Sequence, residues 1–236
     1  MPPEREVHVW LVPVAQALEP SSRSVVAHVA LRLLLGELTG TAPENLRFER
    51  RCGHCGGTGH GKPHLSGGSD LDFNVSHSGR LALVAVARGR RVGADVERVR
   101  RRTDVLAIAR GSLSPRERHA IESLGTDAAQ RAEFFRCWTR KEAYLKGRGM
   151  GLAGGIDTDP EEDTRWRIRS LDAPAGYAAA VAAEGQFALR QRTTLWPPNP
   201  KLFESPTAPR PFAVRSPSRR PRPATQQRSQ SGSGSP

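Results

Sequence analysis

The chain has 236 residues, 37% of them hydrophobic, and a formal net charge of +12. That length suffices for one large domain or two small halves with a real core. No apolar run approaches transmembrane length, which argues against a membrane-bound class, and the basic balance points to anionic partners: phosphorylated small molecules, acidic proteins or nucleic acid.

The charge is unevenly spread. From Trp196 onward there are seven Lys/Arg and one Glu, together with ten of the nineteen prolines. The stretch "SPSRRPRPATQQRSQSGSGSP" has almost nothing to bury, so residues 196–236 read as a disordered, basic Pro/Ser/Arg-rich tail. At the other end, "VHVWLVPVAQA" has a faint signal-peptide look. His8 and Pro13 interrupt it, and Glu4 and Glu6 cancel the positive start, so export is not expected. Three cysteines, an odd number, fit a reducing cytoplasm better than a disulfide framework.

In chain order, residues 7–14 alternate loosely and predict a strand. Residues 21–38 carry a helical apolar stripe through Val25, Val29 and Leu33, with Ser21 or Ser22 as N-cap. Residues 39–47 form a turn and link. The segment "RCGHCGGTGHGKPHL" (51–65) is too rich in glycine to predict either helix or strand. Residues 71–99 are the most β-like: two apolar runs flank the turn "SHSGR" as a hairpin, and a third run, "VGADVE", follows. Residues 104–124 look helical with a break at "GSLSP", where Ser114, Pro115 and Glu117 supply an N-cap, an N1 proline and an N3 carboxylate. A longer helix is predicted over 127–147, then short strands in "RWRIRSL", "GYAAAVAAEG" and "FALRQRTT". A weak echo between "LALVAVARG" (81–89) and "YAAAVAAEG" (177–185) hints at two similar halves meeting near residue 93.

Four stretches carry chemistry. In "VGADVE", strand alternation points Val92, Ala94 and Val96 one way and Asp95 and Glu97 the other. Two carboxylates on one face call for a cation between them, or form a solvated face neutralised by the following "RVRRR". In "FRCWTRKEAYLKGRGMG", Glu142 and Lys146 are i, i+4 on a helix whose Phe134, Phe135 and Trp138 are core-like. A third carboxylate brought to Asp95 and Glu97 would complete a magnesium site, with Lys146 facing a phosphate. "NVSHSG" offers Ser76 and His77 at a hairpin turn. "GHGKPH" sets Lys62 before Pro63 in a glycine-rich loop that is not a Walker A sequence. A competing reading uses Cys52, Cys55, His60 and His64, spaced C-x₂-C-x₄-H-x₃-H, as a zinc-knuckle-like site. With the basic tail, it would make this a nucleic-acid-binding protein.

"GKP", "FNVSHS", "VGADVE" and "FFRCWTRKEAYLKGRGMG", in this order and at these separations, resemble the 4′-phosphopantetheinyl transferases, specifically the larger monomeric type that activates polyketide and nonribosomal peptide synthases. The resemblance covers about residues 7–195 and extends to the "CGHCGG…GKP" segment of actinobacterial members, which weighs against the zinc-knuckle reading. It implies an α+β fold of two similar αβ halves (5–92 and 93–195) related by pseudo-two-fold symmetry, with the metal site between them. It implies transfer of phosphopantetheine from coenzyme A to a serine of an apo acyl or peptidyl carrier protein, leaving 3′,5′-ADP. Asp95, Glu97 and Glu142 would bind Mg²⁺, and Glu142 would also be the general base. Lys146, His77 and Ser76 would contact the pyrophosphate, Lys62 the 3′-phosphate, and Pro63 the adenine. The segment before the "AHVALR" helix is shorter than the family pattern, leaving Arg23 and Arg32 as the available 3′-phosphate cations. Lys141 is assigned neither to the site nor to the surface.

Overall fold

The structure, a computed structural model, describes residues 5–14, 20–52, 55–150 and 158–193. The proposed tail and the side chains of Ser21 and Ser22 lie outside them. The chain runs β1 (Glu6–Pro13), α1 (Pro20–Thr39), β2 (Phe48–Arg51), β3 (Lys62–Leu65), β4 (Leu71–Ser78), β5 (Leu81–Arg88), β6 (Val92–Arg98), α2 (Val105–Ser112), α3 (Pro115–Glu122), α4 (Asp127–Arg148), β7 (Trp166–Ser170), β8 (Tyr177–Glu184) and β9 (Ala188–Thr193).

The elements stack as helix, sheet, sheet, helix. The first sheet has the order β4-β5-β1-β9, the second β6-β8-β7, and β2 and β3 pair separately. In β1, alternation sends Trp10 and Val12 toward α1, and Val7, Val9 and Leu11 toward the second sheet. There they meet Val92, Ala94 and Val96 of β6 and Val181 of β8. The far side of the second sheet packs Ala180 and Ala182 against Ala143, Tyr144 and Leu145 of α4, with Trp166. α2, α3 and the start of α4 close a further cluster around Ile121 and Phe134.

The predicted start of α3 holds, with Ser114 and Glu117 in a reciprocal capping box, whereas α1 begins at Pro20, ahead of the Ser21 or Ser22 expected as its N-cap. Thr126 caps α4 by accepting from the Ala129 N–H. The glycine-rich segment departs from expectation. It contains β3, paired antiparallel with β2 from Phe48↔Leu65 to Arg51↔Lys62. The echoing segments are β5 and β8, which pair antiparallel with β4 and β6 respectively. β9, near the end of the described chain, pairs in parallel with β1 and so joins the first sheet.

The two sheets meet along the edges of β4 and β6 without a backbone ladder. Alternate polar side chains of β4 accept the free N–H groups of β6 instead. Val92 donates to Asp72 (2.7 Å), Ala94 to Asn74 (3.0 Å), Val96 to Ser76 (3.4 Å) and Arg98 to Ser78 (3.1 Å). Each buried N–H on this edge of β6 thus finds a partner, which a sheet edge in a core requires.

Candidate active site

β6 and α4 touch backbone to backbone. A Cβ on Gly93 would lie 2.0 Å from the Ala143 carbonyl oxygen and 2.3 Å from the Gly147 nitrogen. A Cβ on Gly147 would lie 2.6 Å from the Trp166 ring. Only glycine permits this approach. It brings the last turns of α4, with Glu142 and Lys146, onto the face of β6 that carries Asp95 and Glu97. α4 ends just beyond, at Gly149 in the left-handed conformation with φ 72°.

Asp95 is the centre of the arrangement. Its Oδ1 accepts from the Ser76 hydroxyl (2.8 Å) and the Lys146 ammonium (2.5 Å), and Lys146 also reaches Ser76 at 3.2 Å. Its Oδ2 is buried and has no hydrogen-bond partner. The Ser78 hydroxyl donates to Glu97 at 2.6 Å. Burial pushes the Glu97 carboxyl above its ordinary range, against the Ser78 hydrogen bond, and the Asp95 charge adds to the rise. Burial likewise pushes Glu142 up; Lys146 draws it back, and Asp95 and Glu97 push it further up. Three carboxylates therefore face one ammonium.

A divalent cation fits this donor set in kind. The donors are hard oxygens, they carry excess negative charge, and one buried carboxylate oxygen lacks a partner. Their oxygens are not all within 4.8 Å of one another, because among the described residues only a Cys/Cys/His group meets that condition. Lys146 and Ser78 hold Asp95 and Glu97 in the arrangement seen here.

Asp95 and Glu97 line a cleft of about 610 Å³, whereas Glu142 is not among its lining residues. Ser76, His77, Pro63, Lys146 and Gly149 line it, with His77 exposed near the end of β4 rather than in the turn itself. Other expected residues are placed differently. Lys62 lines the cleft, but its ammonium is buried in an ion pair with Asp72 and donates to the Val92 carbonyl at 2.7 Å, so its charge is already matched. Arg32 points into the α1–β2 junction, donating to the Pro43 carbonyl (2.5 Å) and lying over the Phe48 ring. Arg23 is half-buried, one residue before Ser24, which does line the cleft. Lys141 belongs to neither site nor surface: it is buried in a 2.9 Å ion pair with Glu117. Sequence reasoning missed Arg50, which lines the cleft and donates to the Gly61 carbonyl at 2.7 Å, and His28 on the opposing α1 wall. Register pairing of Arg50 with Pro63 placed it there, and a strand hidden by glycines gave no signal.

Of the proposed zinc ligands, Cys52, Cys55 and His60 come together, whereas His64 sits 3.8 Å from Asp72 in β3. The cluster lies in the β2–β3 connection, next to the cleft-lining residues Arg50 and Gly61, and does not itself line the cleft.

Residues 91–190 match the family described as the 4′-phosphopantetheinyl transferase superfamily. The chain is 31% identical over 217 residues to the 4′-phosphopantetheinyl transferase HetI of Nostoc sp., covering 76% of this chain and 88% of that protein. It is 31% identical over 169 residues to 4′-phosphopantetheinyl transferase AcpT of Salmonella typhi, covering 72% and 74%. A 4′-phosphopantetheinyl transferase of Bacillus subtilis is 27% identical over 179 residues, covering 70% and 75%.

Proposed function

The chain belongs to the 4′-phosphopantetheinyl transferase superfamily and is an enzyme of that kind; we propose that it transfers phosphopantetheine from coenzyme A to a serine hydroxyl of an apo acyl or peptidyl carrier protein, with Mg²⁺ held by Asp95, Glu97 and Glu142. The observation that supports this most is the unpartnered buried Oδ2 of Asp95, beside Lys146 and Ser76 in the lining of the cleft. When bound there, Mg²⁺ would polarise the pyrophosphate and neutralise charge on the departing phosphate.

The remaining steps use this chain's own side chains. The cleft takes the nucleotide end of coenzyme A, with Pro63 against the adenine and Arg50, rather than Arg32, as the cation for the 3′-phosphate. Lys146 and His77 hold the pyrophosphate oxygens, placing positive charge where negative charge grows. The carrier serine oxygen attacks the phosphorus next to the pantetheine arm. The bond from that phosphorus to the bridging oxygen breaks, and 3′,5′-ADP leaves. Glu142, on the last turns of α4 over β6, takes the serine proton. The basic surface suits an acidic carrier helix. That β4, β6 and α4 all come from one chain supports a monomeric enzyme, and we place the reaction in the cytoplasm. Among the described residues no helix is long and apolar enough to cross a membrane.

The test is incubation with coenzyme A, Mg²⁺ and an apo carrier protein, followed by intact-mass measurement of the carrier. A mass gain equal to one phosphopantetheine, lost on omitting the metal, is the expected result. No gain with several acyl and peptidyl carriers, by a folded enzyme, would refute the reading.

A further inference from the structure

The loop between β2 and β3 has a structure that the transfer reaction does not use. Cys52, Cys55 and His60 present two sulfurs and one ring nitrogen that all lie within 4.8 Å of one another. The Cys55 sulfur and His60 Nε2 are 3.2 Å apart. Zinc bonds of about 2.3 Å to sulfur and about 2.0–2.1 Å to nitrogen put tetrahedral S···N edges near 3.5 Å, so the spacing matches one coordination sphere.

The backbone around the cysteines is shaped to the same end. The Gly56 N–H donates to the Cys52 carbonyl (3.0 Å) and the Cys52 N–H to the Gly57 carbonyl (2.9 Å), tying the segment after Cys55 back to Cys52. The Gly57 N–H donates to the Cys55 sulfur at 3.4 Å, a contact that favours the thiolate. Gly56 has φ +69°, and a Cβ on Gly57 would lie 3.1 Å from the His60 ring and 3.2 Å from the Cys55 sulfur. The two glycines after Cys55 are thus needed for the turn and for the approach of the histidine. Neither cysteine is in a disulfide.

We propose that Cys52, Cys55 and His60 bind a zinc ion through two thiolates and one imidazole, with the fourth position open to a water molecule or another small ligand. Binding displaces the thiol protons to solvent. Its consequence for the cleft follows from position. An isolated bridge joins Arg51 to Thr58, and Arg50 holds the Gly61 carbonyl, so the cluster sits at the root of the wall formed by Arg50, Gly61 and Pro63. Zinc would fasten both ends of the loop and fix that wall. His64 takes no part, since it lies in β3 near Asp72.

The experiment uses the full chain, purified without chelator, and measures zinc by mass spectrometry. Cobalt(II) is then substituted and its absorption recorded. Stoichiometric zinc, a thiolate-to-cobalt charge-transfer band and tetrahedral d–d bands are expected. His60→Ala, at an exposed position, should weaken zinc at least about tenfold, since loss of even an outer partner of a metal site costs about 10–100-fold. Cys55→Ser should remove most of the charge-transfer intensity, and His64→Ala should change neither reading. Sub-stoichiometric zinc with a cobalt spectrum lacking the thiolate band would overturn the proposal, as would equal zinc retention by the Cys55→Ser and wild-type proteins. Neither reading depends on transfer activity.

Discussion

Gly93→Ala tests the contact on which the active site depends. The added Cβ would lie 2.0 Å from the Ala143 carbonyl oxygen, 2.3 Å from the Gly147 nitrogen and 2.7 Å from the Gly147 Cα. All three are helix backbone, so no flexible side chain can yield. An ordinary contact of about 3.4 Å requires β6 and α4 to part by about 1.4 Å at this point. Overpacking of this kind costs about 1–3 kcal/mol, occasionally more. The chemical cost should be larger. The Lys146–Asp95 contact of 2.5 Å spans the same gap, and Glu142 lies on the displaced helix. A misplacement of about 1 Å at a reacting centre can cost about 10²-fold in rate. We expect a soluble protein with a lowered melting temperature and a transfer rate reduced about a hundredfold, read by intact mass of the carrier. Gly111→Ala, in α2 with nothing within 4 Å of its Cβ, should be neutral or slightly stabilising and serves as control. A Gly93→Ala protein with wild-type melting temperature and rate within a few-fold would refute the reasoning, because α4 could not then be seated on β6 as described.

Asp95→Ala and Glu142→Gln should both fold and both lose at least about a hundredfold in transfer rate, base loss alone costing about 10²–10⁴-fold. Raised Mg²⁺ or Mn²⁺ should partly restore Asp95→Ala but not Glu142→Gln; equal rescue would make Glu142 a ligand only. Burial raises the carboxyls of Glu97 and Glu142 above their ordinary value of 4.5, so the metal-free fold binds protons more tightly than the unfolded chain. Its stability should therefore fall as pH rises from 4.5 through the raised values. Metal-free Glu97→Gln/Glu142→Gln should accordingly melt higher than wild type at neutral pH, an advantage that fades toward pH 4.5; an advantage constant with pH would contradict this. Lys141→Met leaves the Glu117 charge buried and should cost about 3–5 kcal/mol in denaturant unfolding, most of it recovered in Lys141→Met/Glu117→Gln. Arg50→Ala should raise KM for coenzyme A while changing kcat little, and Arg50→Lys should recover part of the affinity; an unchanged KM would remove Arg50 from the 3′-phosphate.

Much of the site could be read from local pattern. Period-two alternation in "VGADVE" placed Asp95 and Glu97 together, away from the buried Val92, Ala94 and Val96. An i, i+4 pair on an aromatic helix placed Glu142 with Lys146, and the Ser-Pro-x-Glu start of α3 formed as its capping chemistry requires. What stayed hidden depends on distant partners. β3 escaped notice because its approach is through glycines such as Gly61, at φ +90°, and because its partner strand β2 is only four residues long. Lys62 looked like a free cation in a loop, and only the fold supplies Asp72 to neutralise it. Arg32 offers a suitable charge in sequence, but its place on α1 turns it toward Pro43 and Phe48. His64 has metal-ligand spacing in sequence, yet its place in β3, paired with Glu49, separates it from the cysteines.

The alternation Asp72, Asn74, Ser76, Ser78 accounts for why architecture and chemistry coincide. Each of these side chains caps an N–H of β6, and three do a second thing with the same group. Asp72 accepts from Lys62, fixing the cleft wall ahead of Pro63. The Ser76 hydroxyl accepts from Val96 and Lys146 and donates to Asp95. The Ser78 hydroxyl accepts from Arg98 and donates to Glu97. A hydroxyl suits this double task because it can donate and accept at once, whereas a backbone ladder would use the β6 N–H groups but leave nothing to orient the carboxylates. Joining the two sheets by side chains therefore leaves a row of donors against Asp95 and Glu97, at the one seam where β4, β6 and α4 meet.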